Sequence, residues 1–439
     1  MDIFSKSFKL NKRKKVILVL SFILLFFWTT ILATNGHSEL RYRNLIKKAE
    51  NFENQKIYYD AQNIYIEAFE KRPSEKLAFK IADLSLLNDD EKSFIKFCDY
   101  IISKGQKKDE ARIKKANFYY SNEQYSECYK EIQKIKNLKN NQRAKDLDYL
   151  LDGKYYIKYL PYTQGNRLIE TEDKSYFTVL KRDEVCLIDE KSNVLLSNFK
   201  KLGDIHADKK LIAGYKDSNY SYYDFNGNRR YKNLDVDYLG RYSEVVPTMK
   251  ENKFSFLNTQ TGKNFGEYLF ASNFSDKRAV ILKENHWSVV DFSGKIVKNL
   301  EVKDFRFNNN DFENYGYIIM KTDKFYIYDK KFNKICDIPF DDILPLLEKD
   351  GYFAAKKNHK WGLIDAKGKT IVDFKYDNLH SSKLGYACAM KNGKWGYIKT
   401  DGREVIDFDF ESATDLSKNG KAIVNKDGSC IMITLCKKL

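Results

Sequence analysis

The segment from His359 to Val372, HKWGLIDAKGKTIV, is echoed 34 residues later by GKWGYIKTDGREVI, from Gly393 to Ile406. Weaker copies keep the same step. Val185, Tyr220, Phe254, Trp287, Phe325, Trp361, Trp395 and Cys430 hold one place in successive units, separated by 35, 34, 33, 38, 36, 34 and 35 residues. A unit of this length cannot bury its own apolar face, so neighbours must stack. Each unit reads as a strand, a short turn, a strand starting at the repeated place, a tight turn and a further strand. In the tight turn an Asp ends one strand and a Gly follows, as in Asp224 with Gly227, Asp291 with Gly294 and Asp365 with Gly368. Asp accepts bonds from nearby amides and Gly takes the positive-φ position of a hairpin. A metal site in each turn would need several acidic ligands per loop, and most loops offer one.

The Trp-Gly pairs Trp361-Gly362 and Trp395-Gly396, with Trp287 as a weaker copy, resemble the WG-repeat (KWG) family of bacterial repeat proteins. The resemblance covers about 60% of the chain and implies an all-β repeat domain over residues 161–439. Seven to eight units closing as a propeller are favoured over an open β array. Closure is attractive because the last unit, Lys421 to Leu435, is incomplete. Tyr155 to Leu160, or Arg167 to Glu170, could complete it and hide an open edge. Aromatic content agrees with a large β portion: 31 Tyr, 30 Phe and 4 Trp make up 15% of the residues.

Residues 38–160 show helical periodicity instead. Ala61, Tyr65, Ala68 and Pro73 follow Leu45, Ala49 and Phe52, and the spacing resembles a tetratricopeptide repeat. Ala49, Ala82 and Ala116 lie 33 and 34 residues apart, small residues where helices can cross. Arg143 to Tyr159 is expected as a closing helix. The resemblance implies a concave groove for a peptide segment of a partner, lined near Tyr58, Tyr65 and Tyr119. The plainer alternative is a helical stalk.

Val16 to Ala33 contains no charged residue and follows Lys12, Arg13, Lys14 and Lys15. This pattern predicts a cytoplasmic basic arm over 1–15 and an uncleaved single-pass membrane helix over 16–34, with the bulk of the chain extracytoplasmic. The fold class expected is therefore α + β multidomain: a membrane helix, a helical array and a β-repeat domain. Of the net charge of +16, the first 35 residues contribute +5. Elsewhere both signs are interspersed, which argues against a nucleic-acid partner.

No phosphate-binding loop, dinucleotide fingerprint, zinc-protease motif or nucleophile elbow occurs. The five histidines are scattered, and the seven cysteines lack close pairing; Cys98 and Cys128, on neighbouring helices, are the one pair expected to be able to meet. No catalytic residue, cofactor or metal is expected. The expected function is an interaction or scaffold protein of the cell envelope, binding another envelope protein or a cell-wall glycan. Two alternatives are a carbohydrate-active propeller enzyme with paired carboxylates and a membrane sensor acting through a partner.

Overall fold

The computed structural model describes residues 39–439, apart from 137, 172, 207–209 and 439. The chain divides into two units, the second beginning at Leu150. The first consists of consecutive helices: α1 over residues 39–54, α2 Tyr58–Lys71, α3 Glu75–Leu87, α4 Glu91–Lys104, α5 Lys108–Ser121, α6 Tyr125–Gln133 and α7 Gln142–Leu150. Ala49, Ala61, Ala78, Ala82 and Ala111 are fully buried at the crossings, together with Phe94 and Cys98. Ser74 and Asp90 cap α3 and α4 by accepting the backbone amides of Leu77 and Ser93.

Among the described residues no helix is long and apolar enough to cross a membrane. The longest described helices run 14 to 16 residues, about 21–24 Å against a hydrocarbon core of about 30 Å, and they are amphipathic. The expected fold class with a spanning helix, and the single-pass location derived from it, are corrected accordingly. The stretch 16–34 that prompted them lies outside the described residues. The expected closing helix is also shorter than its sequence suggested. It stops at Leu150, and the aromatic, β-favouring run Tyr155–Leu160 forms a strand instead.

The second unit is an eight-bladed β-propeller. Blade 1 pairs Gln164–Glu170, Ser175–Lys181, Glu184–Asp189 and Val194–Phe199 in sequence order. Blades 3, 4, 6 and 7 repeat that order, from Tyr238 to Tyr268, Phe270 to Leu300, Asp342 to Tyr376 and Asn378 to Phe410. In blade 2, Lys201–His206, Leu211–Lys216 and Asn219–Asp224 form three strands, and isolated bridges Tyr223–Arg229 and Tyr220–Leu234 stand where a fourth would run. Blade 5 pairs Asp304–Arg306, Tyr317–Lys321 and Phe325–Asp329, with the short strand Glu313–Asn314 added through a hairpin. All eight repeated positions, Val185 to Cys430, fall at the start of the third strand of their blade.

Blade 8 decides between a ring and an open array. Ser412–Ala413, Lys421–Lys426 and Ser429–Leu435 are joined by Tyr155–Leu160, which pairs antiparallel with the last strand from Tyr155–Leu435 to Leu160–Cys430. The last blade also packs on the first: Ile423, Cys430 and Met432 share a core cluster with Phe177, Val179 and Ile188. Seven further clusters fill the other blade interfaces. The ring is thus closed by the first strand of the second unit, and among the described residues each blade packs an apolar face on its neighbour.

The repeat motifs have local physical causes. Asp189, Asp224, Asp291, Asp329 and Asp365 each present Oδ1 to two backbone amides, two and four residues on, at 2.8–3.1 Å. Their oxygens are committed to the turn, and among the described residues no group of three or more His, Cys, Asp or Glu could hold a metal ion.

The glycine of the Trp-Gly pair answers to a bulge. In blade 6, Trp361 faces Tyr376 and Leu363 faces Val372, so the outer strand carries two extra residues over Gly362. A Cβ at Gly362 would sit 2.5 Å from the Val372 carbonyl oxygen, and one at Gly396 would sit 2.6 Å from that of Ile406. In blades 1 and 3 the bulge carries one extra residue, and Cys186 and Ser255 fit. Blade 4 runs without a bulge past Ser288, whose hydroxyl donates to Asn299 Oδ1 at 2.9 Å.

Candidate functional site: the axial cavity

The first strands and the loops that follow them face the propeller axis, where they enclose a cavity of about 470 Å³. Its character is set by blade 5. Asn308 and Asp311 close a two-residue turn whose central Asn309 and Asn310 lie at φ 50° and 66°, a conformation that asparagine tolerates well. The turn reaches other blades. Asn310 Nδ2 donates to the Tyr238 hydroxyl at 2.9 Å and to the Ala271 carbonyl at 3.2 Å. Asp311 Oδ2 accepts from Arg241, in the loop after the first strand of blade 3, at 2.6 Å, and Asp311 Oδ1 accepts from the buried Asn273 amide at 3.1 Å. Burial pushes the Asp311 carboxyl above its ordinary range, against the pull of Arg241 and Asn273.

Two further pairs cross blade boundaries at the cavity wall. His380 Nδ1 lies 2.8 Å from Asp415 Oδ1, and its ring packs 5.1 Å from that of Trp395. Burial lowers the affinity of this imidazole for a proton, but the Asp415 carboxylate outweighs it and the net shift is upward. Lys383 of blade 7 makes an ion pair with Glu170 of blade 1. Glu170 also accepts from the Ser175 hydroxyl at 2.9 Å and from the Lys418 amide at 3.0 Å. Arg167 donates to the Leu202 and Gly203 carbonyls at 3.2 and 2.8 Å. A second cavity of about 450 Å³ shares Asn166, Arg167, Arg241 and Asn309 with the first, so these four side chains form a common wall.

The residues singled out in the sequence lie elsewhere or play other parts. Tyr65 is 3% exposed, and its hydroxyl donates to Glu53 Oε2 at 3.1 Å, which places it in the helical core and not on a groove. Tyr58 and Tyr119 are half-buried, with Lys115 Nζ 5.8 Å from the Tyr119 ring. Trp287 and Trp361 are core residues at 6% and 8% exposure, while Trp395 is half-buried. All seven cysteines are free and buried, so Cys98 and Cys128 do not meet in a disulfide. Sequence reasoning missed Glu170, Arg241, Asn273, Asp311, His380, Lys383 and Asp415 because their partners lie up to 248 residues away. One signal was available: the 38-residue spacing from Trp287 to Phe325 marks blade 5 as the longest unit.

Residues 361–395 and 395–430 match the WG containing repeat family. The match does not extend to the helices, so the tetratricopeptide resemblance receives no support from it. No curated protein matches the sequence. Among solved structures the chain is similar to Kluyveromyces lactis Hsv2p, at 12% identity and TM-score 0.38, covering 53% of this chain and 93% of that one. It is also similar to the β-propeller domain of Myceliophteria thermophila Cps50 (Swd1), at 7% identity and TM-score 0.38, covering 64% and 99%. A eukaryotic initiation factor matches at 10% identity and TM-score 0.41, covering 61% and 83%. The blade count rests on this chain's own strand pairing.

Proposed function

We propose that this chain is a non-catalytic binding protein, a scaffold that holds protein or glycan partners on its propeller and on its helices. The observation that carries the reading is the pairing inside the axial cavity. Arg241 with Asp311, His380 with Asp415 and Lys383 with Glu170 are each committed to one another. Groups fixed in this way can recognise a ligand by directed hydrogen bonds. The half-buried Tyr58 and Tyr119 offer the helical unit a separate contact surface for a protein segment.

One observation favours a second reading. A carboxyl raised by burial, as at Asp311, is what a general acid of glycoside cleavage requires, and Glu170, Glu313 and Asp415 line the same cavity. Incubating the full chain with soluble oligosaccharides and following binding and product together separates the two. Saturable binding with no product supports the binding protein; turnover abolished by Asp311→Asn would establish the hydrolase.

A further inference from the structure

We infer that the axial cavity is a binding site for a short neutral oligosaccharide, with the Tyr315 ring as the face on which a sugar ring stacks. The inference rests on the binding-protein reading and names its ligand. Its first support is the backbone at Tyr315. Between Glu313–Asn314 and Tyr317–Lys321 the chain turns in two residues, Tyr315 at φ 53° and Gly316 at φ 88°. The first position of such a turn favours Asn, Asp or Gly, and an aromatic residue there works against local conformational preference. The comparable two-residue turn of blade 4 begins with Asp276; that of blade 7 begins with Leu384, whose side chain packs against the core between blades 7 and 8. Despite its size Tyr315 stays 52% exposed, at the margin of the cavity. Its hydroxyl donates to the Leu347 carbonyl of blade 6 at 3.2 Å, which fixes the ring's direction. A bulky side chain that is locally unfavourable, exposed and anchored at a cavity fits a role in ligand contact.

The lining supplies the second support. Arg167, Arg241 and Lys383 face Glu170, Asp311, Glu313 and Asp415. Three positive and four negative charges, with His380 able to add one more positive, leave little net field to attract a strongly charged ligand. Asn166, Asn308, Asn309 and Asn314 also line the space, with Asn308 Nδ2 donating to Asn314 Oδ1 at 3.2 Å, so the wall mixes amide donors and acceptors. Hydroxyl groups, which both donate and accept, match this mixture. Apolar walls are few, and the volume of about 470 Å³ lies within the range of small-molecule sites.

The test uses the full chain with cellobiose, maltose and N,N′-diacetylchitobiose, and glycylglycine as the zwitterionic control, read by titration calorimetry. The expected result is saturable binding of at least one disaccharide. Tyr315→Phe should retain it, and Tyr315→Asn should weaken it about tenfold or more. Because asparagine suits the turn, Tyr315→Asn should leave the thermal midpoint unchanged or raised, which separates lost contact from lost folding. Binding of none of the sugars, equal sugar binding by Tyr315→Asn, or binding of glycylglycine in their place would overturn the inference. Sugar binding accompanied by cleavage keeps the inference and overturns the non-catalytic reading. Capture of a defined peptide partner with no sugar bound does the reverse.

Discussion

Blades 6 and 7 keep the Trp-Gly pattern best, and blade 5, the longest unit, has lost it. The two cases divide the labour of the propeller. In blades 6 and 7 the pattern is explained by packing: the tryptophan sits at a blade interface and the glycine lies under a two-residue bulge. In blade 5 the same place is Phe325, followed by Tyr326, and the length is spent on the axial side, in the Asn308–Asp311 turn and the strained Tyr315. The repeat signature therefore marks the frame, and the extra length of blade 5 supplies turns that line the axial cavity.

The largest effect expected from breaking the frame is at its tryptophan. Trp361→Ala should cost about 3–5 kcal/mol in urea unfolding, because it opens a cavity between blades 6 and 7. A loss well under this range would mean that the tryptophan is not core. Next come the glycines. Gly362→Ala and Gly396→Ala each force a methyl against a backbone carbonyl and should cost about 1–3 kcal/mol. Ser288→Ala, in a blade without the bulge at that point, should cost about 1 kcal/mol, the value of one hydrogen bond. If all three cost the same, the bulge does not explain the glycine.

The turn aspartates should give a smaller, pH-dependent effect. Burial acts against the charged Asp224, but the amides and side chains around it outweigh burial and hold its carboxyl down at about 2. Asp189, Asp291 and Asp329 are lowered in the same direction. A depressed folded value means stability that is fully present above the ordinary carboxylate range near 3.8 and is lost as pH falls through the folded values. The urea midpoint should therefore fall between about pH 4 and pH 2. Asp224→Asn should flatten part of that slope at a cost of about 1 kcal/mol at neutral pH. Asn258 already serves blade 3 in this way, accepting the Gln260 and Thr261 amides at 3.0 and 2.9 Å.

Much of the frame was legible in the sequence because it is local and repeated. The 35-residue step located every third strand, the Asp and Gly of each turn have partners within four residues, and Tyr155–Leu160 could be named as a candidate closing strand. The site was not legible, for the opposite reason. Arg241 and Asp311 are 70 residues apart, and Asn273 and Asp311 are 38 apart. Residues of ordinary type acquire meaning only when the ring brings first strands together. Tyr65 misled in the other direction, since an aromatic at helical spacing serves a core as readily as a groove. The apolar stretch 16–34 likewise suggested an architecture that no described helix supports.

The division between frame and site is tested most directly by measuring thermal unfolding and disaccharide binding side by side on Gly396→Ala and Tyr315→Asn. Binding is read at a temperature where both variants are folded. The predicted result is a lowered midpoint with binding retained for Gly396→Ala, and a midpoint unchanged or raised with binding lost for Tyr315→Asn. Binding lost with Gly396→Ala while Tyr315→Asn binds normally would contradict the account and place recognition on the Trp-Gly blades.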